Sequence, residues 1–366
     1  MALRKEKNGT WTFYGQFPKQ SNAKTRYYKK RGFKTRKEAK FAEIKFLEDH
    51  QKIPTSQIQL KDVIREYHID APLSLKESTL KGYKRIENNI IIPTFGNRCI
   101  NEITSFEIQR WINNIYSDGV NGKKYADETI KGILLHLSGL LTYAVKRDWL
   151  IKNPCSSVKQ PKNPNAKPKE KTSKDNYWEI DEYNKFMEHI EDEQRYDIYE
   201  FCFYTGVRIG ELCALQWKHI DLILGTITIE QSLSALTSKI TSPKTGNSYR
   251  TIKLPHKIVE KLTTRYNYIS QLRNFNDEWF IFGDQKYISN GTIRRWFNED
   301  VKKYGVKPIT FHGLRHSHAS YLLSNPMLSE QLIADRLGHT VKTLRDTYFH
   351  IYKKHRKLLD DYIDNL

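Results

Sequence analysis

The stretch from Val158 to Asp175 carries three prolines, six lysines and almost nothing apolar. Such a segment cannot serve as core, because proline removes a backbone donor and lysine carries a charge that must stay in water. It therefore lies between separately folded parts, and a basic linker over residues 158–176 divides the chain. A length of 366 residues allows two or three domains. The formal charge of +19, with a pI near 9.5, is spread over an ordered chain and suits nucleic acid as partner. An anionic membrane surface competes for such charge, but no stretch approaches the ~20 apolar residues of a span. The amino terminus also lacks the apolar core of a signal peptide. Cys99, Cys155, Cys202 and Cys213 are scattered, with no pair at zinc-ligand spacing. They read as reduced thiols in a bacterial-type cytosol, with Cys202 and Cys213 buried on helices.

Residues 1–56 hold fifteen Lys and Arg against five Asp and Glu, over half of the excess charge in under a sixth of the chain. Thr10 to Phe17 alternates as a strand, Arg26 to Phe33 can form further strand, and Thr35 caps a helix reaching about His50. A small sheet with one helix packed on it follows. Tyr27-Tyr28-Lys29-Lys30-Arg31 interleaves aromatic and cationic groups, which suits a strand ribbon laid in a DNA groove. Trp11, Arg26, Tyr28, Lys30, Arg31 and Lys34 are the candidate contacts; a solvated basic face on a structural domain would read the same way. Residues 57–157 show three helical apolar stripes: Leu60, Val63, Ile64 and Tyr67; Phe106, Trp111, Ile112 and Ile115; and Ile130, Ile133, Leu134, Leu137, Leu140, Leu141 and Ala144. With Ser78 and Thr104 as N-caps and Asn153-Pro154 ending the last helix, the segment is a bundle of about four helices. Lys81, Lys84, Lys123 and Lys131 face DNA or are idle surface lysines.

Beyond the linker, Thr205-Gly206-Val207-Arg208-Ile209-Gly210-Glu211-Leu212 reads as a glycine corner entering a helix. The Arg208 fork there suits two oxygens of one phosphate, or it pairs with Glu211 three residues on. Gly225 to Glu230 alternates as a strand, and Lys239 to Leu254 forms a hairpin with Lys244 at its turn. A lysine on such a tip can hand a proton to a departing oxygen, with Lys239 and Lys253 as nearby rivals. In His312-Gly313-Leu314-Arg315 a spacing of three puts imidazole and guanidinium on one helical face, about 5–6 Å apart at Cβ. His316-Ser317-His318 suggests the two-histidine metal site of rolling-circle nucleases, but Ser317 falls in a helix spanning Leu314 to Ser324. Ser329 caps a short helix that Gly338 stops, His339 follows the corner, and Thr340 caps the next helix. Tyr348 comes nine residues after His339. An apolar stripe of Ile351, Leu358, Leu359, Tyr362, Ile363 and Leu366 follows, packing on its own domain or on a neighbouring subunit.

These patterns, above all Thr310-Phe311-His312-Gly313-Leu314-Arg315-His316, Leu337-Gly338-His339 and Thr347-Tyr348-Phe349-His350, resemble the tyrosine recombinase (phage integrase) family. The resemblance covers essentially the whole chain. Trp11 and Gly32-Phe33-Lys34-Thr35-Arg36-Lys37-Glu38-Ala39 resemble the three-stranded arm-binding domain of phage and conjugative-transposon integrases. The implied fold is multidomain α+β: a small three-stranded sheet plus helix (1–56), a helical core-binding bundle (57–157), and a mainly α catalytic domain with a small antiparallel sheet and a C-terminal helix (177–366).

The resemblance implies that Tyr348 is the nucleophile and that Arg208, Lys244, His312, Arg315 and His339 complete the site, with Glu211 holding it in place. Pro243-Lys244-Thr245 followed by Arg250-Thr251-Ile252 favours Lys244 over its rivals. Phenol attack on phosphorus builds charge that Arg208, Arg315 and His339 stabilise. His312 would take the phenol proton and Lys244 would protonate the leaving 5′ oxygen. A 3′-phosphotyrosyl intermediate keeps the bond energy, so resealing needs no ATP, no cofactor and no metal. The implied partners are double-stranded DNA at core and arm sites, a homotetramer on DNA, an excisionase and a host DNA-bending protein, and no membrane. The implied place is the bacterial cytoplasm and its nucleoid. Two alternatives stay open: a type IB topoisomerase-like nicking and resealing enzyme, and a non-catalytic DNA-binding regulator, which would have to lack the tyrosine or an arginine.

Overall fold

The structure is a computed structural model that describes residues 2–7, 9–16, 27–50, 58–161, 176–242, 249–325, 327–348 and 363. Arg26, Lys244 and all of the final apolar stripe but Ile363 lie outside the described residues. The chain divides into two compact units, Met1–Asn163 and Pro164–Leu366.

In the first unit, β1 (Ala2–Lys5), β2 (Trp11–Gln16) and β3 (Tyr27–Phe33) form an antiparallel sheet in that order. Helix α1 (Arg36–His50) packs on one face of it. Thr35 caps α1 as expected, its Oγ1 accepting from the Glu38 amide at 3.1 Å. Fully buried Phe13 centres the interface, with ring centroids 5.4 Å from Phe33, 5.6 Å from Phe46 and 6.2 Å from Tyr28. Strand alternation sends Tyr28 and Lys30 to this same side. Tyr28 is thus a core residue whose hydroxyl donates to Glu43 at 3.3 Å, which corrects its assignment as a DNA contact. Lys30 lays its ammonium 4.6 Å from the centre of the Phe46 ring. The opposite face carries cross-strand rows Arg4–Thr12–Arg31 and Ala2–Tyr14–Lys29, then Gln16–Tyr27. Arg31 is therefore joined there by Arg4, Tyr14, Lys29 and Tyr27, four exposed side chains absent from the sequence-based candidates. Trp11 lies at the sheet end beneath Arg36, with the guanidinium 6.0 Å from its ring, and Lys34 is exposed.

The bundle comprises α2 (Leu60–Asp70), α3 (Glu77–Ile86), α4 (Ile92–Phe95), α5 (Ser105–Ser117) and α6 (Asp127–Lys146). Leu60, Val63, Ile91, Phe95, Ile108, Leu137, Leu140, Leu141 and Ala144 form its centre. Thr104 caps α5 in a capping box with Glu107. Three local expectations change. Phe106 is 75% exposed and Ile108 takes its place inside, because the buried stripe of α5 runs Ile108, Ile112, Ile115. Lys76, not Ser78, precedes α3. Helix α6 ends at Lys146 ahead of Asp148, which has a left-handed φ of 58°, and Asn153 instead caps the short turn Pro154–Ser157. One wide turn, Glu87–Ile91, joins α3 to α4 and points Glu87 inward. There its two oxygens meet His68 Nε2 at 2.6 Å and His136 Nε2 at 2.8 Å. Lys81, Lys84, Lys123 and Lys131 are all exposed.

The second unit is built around α8 (Glu193–Thr205), whose Ile198, Tyr199, Phe201, Cys202 and Phe203 are all buried. Around it stand α7 (Ile180–Met187), α9 (Ile209–Ala214), α10 (His256–Ile269), α11 (Asn290–Lys303) and α12 (Phe311–Leu323). Polar ties fix their angles. Asp300 of α11 accepts from Tyr199 and Arg195 of α8 at 2.8 and 2.9 Å, while Glu200 of α8 pairs with Lys257 and Lys261 of α10, both at 2.7 Å. Helix α12 starts at Phe311, three residues before the sequence placed it, so His312 stands inside the helix. Strands β4 (Ile220–Asp221), β5 (Thr226–Ile229) and β8 (Arg250–Lys253) make one antiparallel sheet, and β6 (Ser232–Leu233) pairs with β7 (Ile240–Thr241). The expected hairpin is thereby corrected among the described residues: β8 pairs with β5, and β7 with β6. Helices α13 (Glu330–Leu337) and α14 (Val341–Thr347) complete the unit, capped by Ser329 and Thr340 as the sequence indicates. Among the described residues no helix is long and apolar enough to cross a membrane.

Candidate active site

Two left-handed glycines set the site. Gly206 (φ 65°) ends α8, and Gly338 (φ 62°) ends α13. Each turns the chain sharply and leaves carbonyls facing the same space. A β-carbon on Gly206 would also drive into the His318 ring, with Cγ only 3.1 Å away, so no other residue fits without movement.

Into this space α12 sends Arg315, which is only 2% exposed. Its Nη1 donates to the Gly206 carbonyl at 2.5 Å, and its Nη2 donates to the Leu337 carbonyl and to His339 Nε2 at 2.9 Å. Its Nε is buried without a partner. Burial, then the nearby Arg208 charge, lowers its pKa to about 9, which leaves it cationic at neutral pH. Since a guanidinium only donates, His339 Nε2 must accept and the ring proton must sit on Nδ1. That atom is likewise buried without a partner. Burial, with Arg315 and Arg208 beside it, holds the His339 pKa down at about 3, so the ring is neutral. Two donors, Arg315 Nε and His339 Nδ1, are therefore unsatisfied.

Arg208 stands at the start of α9. Its amide and Nη1 donate to Glu211 at 2.9 and 2.8 Å, and its Nη2 donates to the Gly338 carbonyl at 3.1 Å. The pairing with Glu211 and the convergence on the Gly338 corner are both present. Glu211 is shared with Arg250 of β8, whose Nη1 and Nη2 donate to it at 3.2 and 2.8 Å. Burial alone would raise the Glu211 pKa, but Arg250 and Arg208 overcome it and hold the carboxyl at about 2. Arg250 Nε also donates to the Arg336 carbonyl at 2.8 Å. Arg336 in turn donates to His318 Nε2, the Lys253 carbonyl and the Tyr204 carbonyl at 3.1, 3.0 and 3.1 Å. The two arginines thus fasten β8 to α8, α9, α12 and α13. Sequence reasoning missed them as site components; the one available signal was Arg250 within the Arg250-Thr251-Ile252 pattern.

Tyr348 closes α14, its amide donating to the Leu344 carbonyl at 2.9 Å. The ring is 1% exposed among Ala319, Leu323, Ile333, Ala334, Leu337 and Leu344. Burial raises its pKa, and Arg315 and Arg208 act in the opposite direction, which places both cations within electrostatic reach of the hydroxyl. The hydroxyl lies 2.9 Å from His316 Nδ1. His312, the proton acceptor named from sequence, sits one turn earlier at the solvent side, its ring centroid 4.8 Å from that of His316. Burial against the protein, then His316, Arg315 and Arg208, lower its pKa. His316 and His318 face different partners, the tyrosine and Arg336, and do not form the metal pair weighed above. Of the six residues singled out, Arg208, His312, Arg315, His339 and Tyr348 come together. Lys244 lies outside the described residues, and its rival Lys253 donates to the Leu224 carbonyl.

Comparison with known proteins agrees along the chain. Residues 177–355 match the phage integrase family, residues 59–116 the N-terminal SAM-like domain of phage integrases, and residues 2–49 an arm DNA-binding domain. The chain is 30% identical over 353 residues to the ICEBs1 integrase of Bacillus subtilis (strain 168), across 91% of this chain and 90% of that one. In fold it is similar to the Tn1549 transposon integrase solved with a circular intermediate DNA, with TM-score 0.66 and 19% identity over 82% of this chain and 99% of that one. It is similar also to lambda integrase, solved as a tetramer bound to a Holliday junction, with TM-score 0.57 and 20% identity over 92% and 95% of the two chains. The chain thus belongs to the phage integrase family of tyrosine recombinases, and is a site-specific DNA recombinase.

Proposed function

We propose that this recombinase integrates and excises a mobile DNA element by attacking a phosphodiester with Tyr348, forming a 3′-phosphotyrosyl intermediate. The observation that carries the reading is the convergence of Arg208, Arg315 and His339 beside a buried tyrosine hydroxyl, with Arg315 Nε and His339 Nδ1 left as unsatisfied donors. A scissile phosphate supplies the acceptors such donors need, and fixed cations stabilise the charge that grows on its non-bridging oxygens. His312 stands at the solvent side of this cluster, where it meets the DNA backbone. Glu211 sets the direction of the Arg208 fork, and Lys244 protonates the leaving 5′ oxygen.

The three regions divide the labour. The basic face of residues 1–56 binds arm sites, the bundle of 57–157 grips the core site with Lys81, Lys84, Lys123 and Lys131, the basic linker 158–176 joins it onward, and residues 177–366 perform the chemistry. The relatives solved on circular intermediate DNA and as a tetramer on a Holliday junction support duplex DNA as substrate and a homotetramer as the working assembly. A second DNA specificity in the arm domain also suits control by an excisionase and a host DNA-bending protein in the bacterial cytoplasm. The test is a nicked suicide duplex carrying the crossover sequence from the DNA flanking the gene. Tyr348→Phe should bind it with unchanged affinity and form no covalent complex; continued trapping moves the nucleophile to another residue.

A further inference from the structure

Helix α12 brings His312, Arg315 and His316 to the site, and among the described residues it is His316 whose nitrogen reaches the tyrosine oxygen, at 2.9 Å. The two rings meet at 63° with centroids 5.5 Å apart. A tyrosine enclosed this fully does not ionise unaided at neutral pH, and its attack on phosphorus needs an acceptor already in hydrogen-bond contact.

Among the described residues no other basic group of the site is hydrogen-bonded to the tyrosine hydroxyl. Both Glu211 oxygens are held by Arg208 and Arg250. His339 gives its lone pair to Arg315. His312 meets the His316 ring and opens to solvent.

We infer that His316 is a catalytic residue, the group that takes the Tyr348 proton during DNA cleavage. This rests on Tyr348 being the nucleophile. The neutral ring carries its proton on Nε2 and offers the Nδ1 lone pair to the phenol. As the Tyr348 oxygen bonds to phosphorus, its proton passes to Nδ1, the phosphorus–O5′ bond breaks, and the leaving oxygen takes a proton from Lys244. Resealing reverses each transfer: the incoming 5′ hydroxyl attacks phosphorus and returns a proton to Lys244. The phosphorus–Tyr348 bond then breaks, and the phenolate recovers its proton from the His316 imidazolium. His312 is freed to face the phosphate, which fits its exposed position.

The experiment uses the full chain on the nicked suicide duplex, with DNA binding and thermal unfolding measured alongside. His316→Gln keeps a side chain of similar reach but holds no usable base, so covalent complex should form on the order of 100-fold more slowly. A duplex with a 5′-bridging phosphorothiolate releases a thiolate that needs no proton. It should restore Lys244→Ala and leave His316→Gln slow. In His316→Ala, added imidazole should restore cleavage by about tenfold or more, a response that loss of packing alone does not produce. The inference is overturned if His316→Gln cleaves within about threefold of the parent, if the thiolate leaving group restores it, or if imidazole leaves folded His316→Ala unchanged. If Tyr348→Phe still traps DNA, the nucleophile assignment fails instead, which separates the two results.

Discussion

At the residue scale the site depends on one carboxylate shared by two arginines. Glu211 is as buried as Arg315 and satisfies both Arg208 and Arg250, so removing either cation leaves the buried carboxylate with one of its two partners. Arg250→Ala should lower the melting temperature by on the order of 5 °C, because a buried carboxylate that keeps Arg208 loses only part of the about 3–5 kcal/mol that full stranding costs. Cleavage should fall with it, as Glu211 without Arg250 holds the Arg208 fork less firmly; an unchanged melting curve would show the pair to be idle. The same carboxylate makes a pH prediction. Its folded pKa is lowered from 4.5 to about 2, so its contribution is complete above 4.5 and is lost as pH falls through the window down to 2. Urea unfolding should therefore weaken from pH 6 to pH 3 by about 2 kcal/mol more in the parent than in Glu211→Gln. The pair of Arg208 with Glu211 was legible from a spacing of three. The second arginine was not, since Arg250 lies 39 residues away and only the sheet brings it back.

At the element scale, helix ends do most of the positioning. Gly206 and Gly338 stop α8 and α13 in left-handed turns, and their neighbourhood supplies the carbonyls that hold Arg315 and Arg208. Gly206→Ala should cost roughly 3 kcal/mol, combining the left-handed penalty with the collision at His318. Gly132 makes a control, since it lies within α6 with nothing within 4 Å of an added β-carbon. Gly132→Ala should stabilise by about 1 kcal/mol. Denaturant unfolding reads both, and equal effects would deny the corner its special role. Caps at Thr35, Thr104, Ser329 and Thr340 were legible because a cap needs only neighbours within a few residues. The pairing of β8 with β5 was hidden, as strand partners are chosen by the fold and not by the shortest loop.

At the scale of the whole molecule, over half of the excess positive charge falls within residues 1–56. Deleting residues 1–56 should leave covalent capture of a core-site suicide duplex within about twofold and reduce recombination between full attachment sites by at least tenfold, since arm contacts act through phosphate attraction and added valency. Gel assays of strand transfer would measure it, and unimpaired recombination would remove the arm domain from the reaction. The linker composition, the charge asymmetry, the helical stripes and the spacing around His312, Arg315, His339 and Tyr348 were all written in the chain, and with them the family. These are local patterns or sums over residues, which need no knowledge of who meets whom. Tertiary structure alone decided that Tyr28 is core and Arg4, Tyr14, Tyr27 and Lys29 join Arg31 on the open face, that Arg250 and Arg336 brace the site, and that His316 and not His312 touches the tyrosine. Each of these turns on which side of an element faces which neighbour, and a side chain one position along a strand or one turn along a helix meets a different partner.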